Sequence, residues 1–287
     1  MAPGTQVDVH FLNLDDAGRD LGHWRDLLDG EELRHADRFR FDRDRHLFIV
    51  RRGWLRELLS RRLNTSPRQI RYRRNPFGKP ALPGRELSFN LSRSAGKALC
   101  VIAHGLELGC DLERRNQDLA TPAVAERFFS PQEQAWLSSL PADRWVEGFF
   151  NCWTRKEAYI KALGTGLSHP LDAFDVSVAP DEPARLLRGC EGWSVQAFEP
   201  APGFTAAVVA EGQGWTLSQP RRSATGRSGP HAAPNRPELR QTATDLPEAG
   251  AQTKRPCRRS RPPAMVPPLG IEPRTSRATI WRSNQLS

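Results

Sequence analysis

Between Pro141 and Lys161, Phe149, Trp153 and Ile160, with Leu163 just beyond, recur at helical spacing, which predicts a long amphipathic helix with one apolar stripe turned to a core. Gly164 and Gly166 follow and end it, because glycine tolerates the positive φ at which helices terminate. Alternation at Val7–Leu12 predicts an opening strand, and Trp24–Leu28 a short helix. The span from Glu31 to Leu63 reads as helix, interrupted around Phe41. Strands are expected at Gln69–Arg74, Glu86–Leu91, Lys97–His104 and Glu107–Leu112. Helices are expected at Ala120–Phe129 and from Ser130 to Leu140, where Pro131 and Glu133 form a good helix start. Phe174–Val178, Gly192–Phe198 and Phe204–Val209 alternate as closing strands. After Gly214 the periodicity stops. Residues 219–287 are rich in Pro, Arg and Ser, and predict a disordered basic tail without a function of its own.

Charge sharpens this division. The net charge of +9 belongs to the tail: there are 29 Lys+Arg against 29 Asp+Glu up to Ser218, and 13 against 4 after it. A nucleic-acid-binding role therefore finds no support in the body. Within the body, residues 1–107 carry 20 basic against 14 acidic groups and residues 108–218 carry 9 against 15. This suggests a first half suited to an anionic ligand and a second suited to a cation. The five cysteines show no CxxC spacing, so neither a disulfide framework nor a zinc site is indicated. No basic-then-apolar leader is read at the N-terminus, and no run approaches the roughly 18 apolar residues of a membrane span. The expected compartment is the cytoplasm.

Two short stretches carry chemistry. In Gly109-Cys110-Asp111-Leu112-Glu113, strand alternation turns Asp111 and Glu113 to one face and Cys110 and Leu112 to the core. Carboxylates about 7 Å apart along a strand repel unless a cation lies between them. In the long helix, Glu157 and Lys161 stand at i and i+4 and could act on one ligand. A solvated Glu–Lys pair and an exposed strand face are the plain alternatives. A hard-cation site shared by both stretches is the sharper one, since Mg²⁺ takes few carboxylates beside phosphate oxygens.

The order G-x-D-x-E, then W-x-x-K-E-A-x-x-K-x-x-G-x-G about forty residues later, resembles the 4'-phosphopantetheinyl transferases of the Sfp type. Asp111 and Glu113 match the first motif; Trp153, Lys156, Glu157, Ala158, Lys161, Gly164 and Gly166 match the second. Phe77-Gly78-Lys79-Pro80 and Phe89-Asn90-Leu91-Ser92 extend the likeness, which spans most of residues 10–215. It implies an α+β fold built as a pseudo-twofold duplication of two similar α/β halves, 1–107 and 108–218, followed by the tail. It also implies a holo-carrier-protein synthase, which moves 4'-phosphopantetheine from coenzyme A to a serine of an acidic apo acyl, peptidyl or aryl carrier protein. Adenosine 3',5'-bisphosphate is released, Mg²⁺ is required and no membrane takes part.

The likeness further implies a metal set of Asp111, Glu113 and Glu157. Glu157 is the first choice of base, Glu113 the second, and Lys161 a phosphate ligand. Coenzyme A is expected at Arg45, Arg74, Lys79, Asn90, Ser92, Arg93, Asp111, Lys156 and Lys161. Where the family commonly has histidine this chain has Arg93, which stays cationic and can donate bidentately to phosphate. The competing reading from another class is a non-enzymatic anion- or nucleic-acid-binding protein using the arginine-rich first half and tail.

Overall fold

The alternating opening segment becomes β1 (Gln6–Asn13), followed by α1 (Leu14–Ala17), α2 (Leu21–Asp26), α3 (Gly30–Ala36) and α4 (Asp42–Leu63) in a computed structural model describing residues 5–17, 20–84, 86–218 and 221–222. Two-residue strands β2 (Arg73–Arg74) and β3 (Pro80–Ala81) flank a tight loop. The hairpin β4 (Leu87–Ser94) and β5 (Lys97–His104) closes the first half. The second half runs β6 (Leu108–Arg114), α5 (Pro122–Phe128), α6 (Pro131–Ser139), α7 (Trp145–Leu163), β7 (Trp193–Phe198) and β8 (Phe204–Glu211). Two further short strands follow, β9 (Thr216–Leu217) and β10 (Arg221–Arg222).

The two halves share one topology. Each is a strand, then helices ending in a long one, then an antiparallel hairpin whose second strand pairs with the opening strand. The resulting orders are β1-β5-β4 and β6-β8-β7. The expected duplication is therefore present, although α4 and α7 share no recognisable residue pattern.

Three cores stack these elements into four layers. Between α4 and the first sheet lie Trp54, Leu55, Leu59, Phe89, Leu91, Cys100 and Ile102. Between the sheets lie Val7, Val9, Leu99, Val101, Cys110, Leu112, Ala206 and Val208. Between the second sheet and α7 lie Phe149, Trp153, Ile160, Ala207 and Val209. Strand alternation sorts the side chains: Ala98, Cys100 and Ile102 of β5 face α4, whereas Leu99, Val101 and Ala103 face the other sheet.

The helices end where local chemistry says they should. Asp29 caps α3 by accepting from the amides of Glu31 and Glu32. Ser130 and Glu133 form a reciprocal capping box on α6. Gly164, at φ +69°, closes α7.

Several expectations need correcting. Only Arg73–Arg74 of the expected Gln69–Arg74 strand pairs with another strand, and Pro67–Gln69 is a 3₁₀ turn. Phe174–Val178 is no sheet strand: Asp175 and Ser177 bond to Arg188, Leu187 and Arg185, leaving Phe174 and Val176 to pack under α7. β9 and β10 were not expected, being two residues each and paired to β1 across the chain. Apart from β10, the tail expected from residue 219 lies outside the described residues. Cys100, Cys110, Cys152 and Cys190 are buried and free. Among the described residues, no helix is long and apolar enough to cross a membrane.

Candidate active site

Where the edge of the first sheet meets the second, side chains take over from a backbone ladder. Asn90, Ser92 and Ser94 alternate on β4 and all turn toward β6, whose amides they satisfy. Asn90 Oδ1 accepts from Cys110 N at 3.0 Å, Ser92 Oγ from Leu112 N at 3.2 Å and Ser94 Oγ from Arg114 N at 3.1 Å. Two of these hydroxyls also aim the carboxylates of the strand opposite. Ser92 donates to Asp111 Oδ1 and Ser94 to Glu113 Oε2, each at 2.8 Å.

Asp111 is fully buried, on the face of β6 that turns to α7. Lys161 Nζ reaches its Oδ1 at 2.6 Å and Ser92 Oγ at 3.2 Å. Oδ2 of Asp111 is buried without a hydrogen-bond partner. Glu157, one turn back on α7, is buried beside both. Burial pushes its carboxyl up to about 7, Lys161 opposing and Asp111 reinforcing the rise. Burial also disfavours the Lys161 ammonium, but Asp111 and Glu157 outweigh it and hold the amine above the ordinary lysine range.

α7 can lie this close to β6 because residue 109 has no side chain. A Cβ there would come within 2.3 Å of Ala158 O and Ala162 N. The glycine of G-x-D-x-E is thus a packing requirement, met from the helix by two alanines. Gly109→Ala is expected to cost about 1–3 kcal/mol or more, as overpacked cores do, and to pull Lys161 off Asp111. Thermal melts and transfer rates measured together check this; a variant unchanged in both would refute the packing argument.

The other expected site residues divide. Arg93 projects from β4 toward α4 and lies within electrostatic reach of Asp44 and Glu113. Burial lowers its pKa while those two carboxylates oppose the shift. Arg74 borders a polar cavity of about 530 Å³ that is also lined by Arg34, Arg38, Arg52, Arg71 and Tyr72. Inside it the Tyr72 hydroxyl is buried without a hydrogen-bond partner and Arg52 Nε lies 3.8 Å from Glu32 Oε1, while Nε of Arg51 nearby in α4 has no hydrogen-bond partner. Burial lowers the pKa of Arg51, with Arg93 and Arg52 reinforcing the shift; Asp29, Glu31 and Glu32 also line the cavity and offset part of its positive charge. Which of the 20 basic residues of the first half would be buried was not legible in the sequence.

Three expected coenzyme ligands are otherwise engaged. Arg45 pairs with Asp42 in the first turn of α4, at 2.6 Å. Lys156 points away from Asp111 into the core behind α7. There its ammonium meets Glu133 Oε2 at 2.7 Å, Leu171 O at 2.5 Å and Phe174 O at 2.7 Å. Lys79 is bonded to Glu107, Leu108 and Ala162. Glu133 itself was recognised in the sequence only as a cap; its reach to Lys156 had no local signal.

The three carboxylates expected to share a metal are near one another in the fold but are not drawn together. Among the described residues no group of three or more His, Cys, Asp or Glu is gathered as a metal cluster. Lys161, paired with Asp111 at 2.6 Å, supplies positive charge that Glu157 also feels. The donor chemistry nevertheless suits a hard cation: Asp111 keeps a buried oxygen with no partner, and Glu157 ionises poorly without more positive charge.

Comparison with known proteins agrees with this architecture. Residues 107–209 match the model of the 4'-phosphopantetheinyl transferase superfamily, and residues 18–105 match that of the 4'-phosphopantetheinyl transferase N-terminal region. The chain is 36% identical over 214 residues to 4'-phosphopantetheinyl transferase HetI of Nostoc sp., covering 73% of this chain and 90% of that protein. It is 29% identical over 187 residues to 4'-phosphopantetheinyl transferase Sfp of Bacillus subtilis, covering 64% and 82%. It is 32% identical over 208 residues to 4'-phosphopantetheinyl transferase psf-1 of Bacillus pumilus, covering 70% and 87%. With both halves matched and a relative of similar extent at this identity, the chain belongs to the 4'-phosphopantetheinyl transferase superfamily.

Proposed function

We propose that this protein transfers the 4'-phosphopantetheine group of coenzyme A to a serine hydroxyl of an apo carrier protein. The observation that carries the proposal is the buried Asp111–Lys161–Glu157 group, set at the seam between the halves, with Arg93 of the first half within electrostatic reach of Glu113 beside it. The serine oxygen bonds to the β-phosphorus and the bond from that phosphorus to the bisphosphate oxygen breaks. Adenosine 3',5'-bisphosphate leaves, and the hydroxyl proton passes to Glu157. Burial raises its carboxyl to about 7 in the metal-free site and a bound cation would bring it down again, so positioning rather than base strength carries the transfer. Glu113, held by Ser94, is the alternative base.

Lys161 places a fixed positive charge where the phosphate oxygens gather charge. Arg93 continues that charge toward α4, and the cavity beyond it, bordered by Arg74, suits the phosphorylated nucleotide end of coenzyme A. Asp111, Glu113 and Glu157 would hold Mg²⁺. Bound there, the ion supplies charge neutralisation at the transferring phosphate.

The partner is a small acidic carrier, drawn by the excess positive charge of the first half. These substrates and four unpaired buried thiols suit the cytoplasm. The test is a mass-shift assay with purified apo acyl, peptidyl and aryl carrier proteins, coenzyme A and MgCl₂. Addition of one phosphopantetheine to at least one carrier, abolished by a chelator, is expected; no addition to any of them would overturn the proposal.

A further inference from the structure

The loop between β2 and β3 does something its sequence does not announce. Lys79 is largely buried, its side chain 16% exposed, and its ammonium donates to Ala162 O at 2.8 Å, Leu108 O at 3.1 Å and Glu107 Oε2 at 3.1 Å. An ammonium has three hydrogens, and these three acceptors use them all. Asn75, four residues earlier, donates from Nδ2 to Gly164 O at 2.6 Å. Its Oδ1 meanwhile accepts from the amides of Phe77 and Lys79 and holds the loop in shape.

Ala162 and Gly164 are at the C-terminal end of α7, where the last carbonyls have no partners within the helix. The first half therefore supplies, across the seam, the cap of the long helix of the second. The fit is close: a Cβ on Gly164 would come within 2.8 Å of both Asn75 Nδ2 and Lys79 Cδ. Ala162 directly follows Lys161, and Leu108 precedes Asp111 by three residues on β6. One ammonium thus fastens the ends of the two elements whose side chains meet at 2.6 Å in the site.

We infer that Lys79, with Asn75, is a positioning residue that sets Lys161 against Asp111 by capping α7 from the opposite half, rather than a ligand of the coenzyme phosphates. The inference rests on the transferase reading for its kinetic half only. The experiment uses the full chain and two variants, Lys79→Met, which keeps the stem and loses the donors, and Asn75→Ala, which loses the bond to Gly164.

Amide hydrogen exchange over residues 161–166 is expected to quicken about tenfold or more in Lys79→Met, the scale of losing a charged hydrogen bond, and less in Asn75→Ala. In steady-state transfer, kcat is expected to fall about 10- to 100-fold, as small misplacements of catalytic groups do, with KM for coenzyme A within about threefold of wild type. A tenfold or greater rise in KM at unchanged kcat and unchanged exchange would make Lys79 a direct ligand and overturn the inference. So would unchanged exchange in both variants. If Lys79→Met does not fold, Asn75→Ala decides by the same exchange criterion. If the wild-type protein transfers nothing, the exchange measurement still tests the cap, so the two failures stay distinct.

Discussion

Glu157→Gln is expected to lower phosphopantetheine transfer by about 10³-fold, the scale of removing one preorganised charge or base from an active site, without unfolding the protein. The substitution keeps the shape of the side chain and exchanges one acceptor oxygen for an amide donor. It removes the anion that would take the serine proton and help to hold a cation. In metal-free buffer at pH 8, the wild-type carboxyl must ionise in a buried position beside Asp111. The amide carries no such penalty, so the melting temperature is expected to equal or exceed that of wild type. Addition of MgCl₂ should raise the wild-type melting temperature and leave that of the variant nearly unmoved. Melts with and without the ion, beside single-turnover transfer to an apo carrier, test both halves. Transfer within a few-fold of wild type would remove Glu157 from the chemistry.

Its neighbour in sequence is expected to behave in the opposite way. Lys156→Met should destabilise the fold by about 3–5 kcal/mol, the range seen when one partner of a buried ion pair is removed. For a folded body of this size that is a fall in melting temperature on the order of 10 °C. The reason lies in what remains. Glu133 is fully buried, and burial already raises its pKa against the pull of Lys156 and of the Ser130 and Val176 amides. Without the ammonium, the carboxyl loses its cation, and the carbonyls of Leu171 and Phe174 lose a donor. The face of the Phe174 ring, 4.2 Å from Nζ, loses its cation as well. Below the new melting temperature KM for coenzyme A should stay at the wild-type value. A normal melt together with a raised KM would return Lys156 to the coenzyme site.

The contrast between residues 156 and 157 shows what the sequence could and could not reveal. Asp111, Glu157 and Lys161 were found through two local periodicities, alternation in a strand and i,i+4 spacing in a helix, and local periodicities survive folding. The direction of Lys156 depends on Glu133, which is distant in sequence and announced itself only as a capping residue. Asn90 and Ser92 were expected at the coenzyme through the family likeness; that they also satisfy β6 is a task set by the gap between two sheets, which no single stretch encodes. Lys79 was legible only as part of Phe77-Gly78-Lys79-Pro80, and its acceptors at β6 and α7 were not. The duplication, implied by the family likeness, cannot be seen as a repeat in the residues for a related reason: it survives as a strand order, and strand order is a property of pairing.

The pairing of β1 with β9 and β10 also bears on how the chain is made. β1 is synthesised about 200 residues before Thr216–Leu217 and Arg221–Arg222, the strands that cover one of its edges. At ordinary translation rates of about 5–20 residues per second, the ribosome needs roughly 10–40 seconds to deliver those strands after β1. Throughout that interval the nascent first half carries an open sheet edge, the kind of surface that recruits stray strands. Chaperone contact early in synthesis, and sensitivity of yield to anything that stalls translation before residue 222, are the cellular counterparts of this late closure.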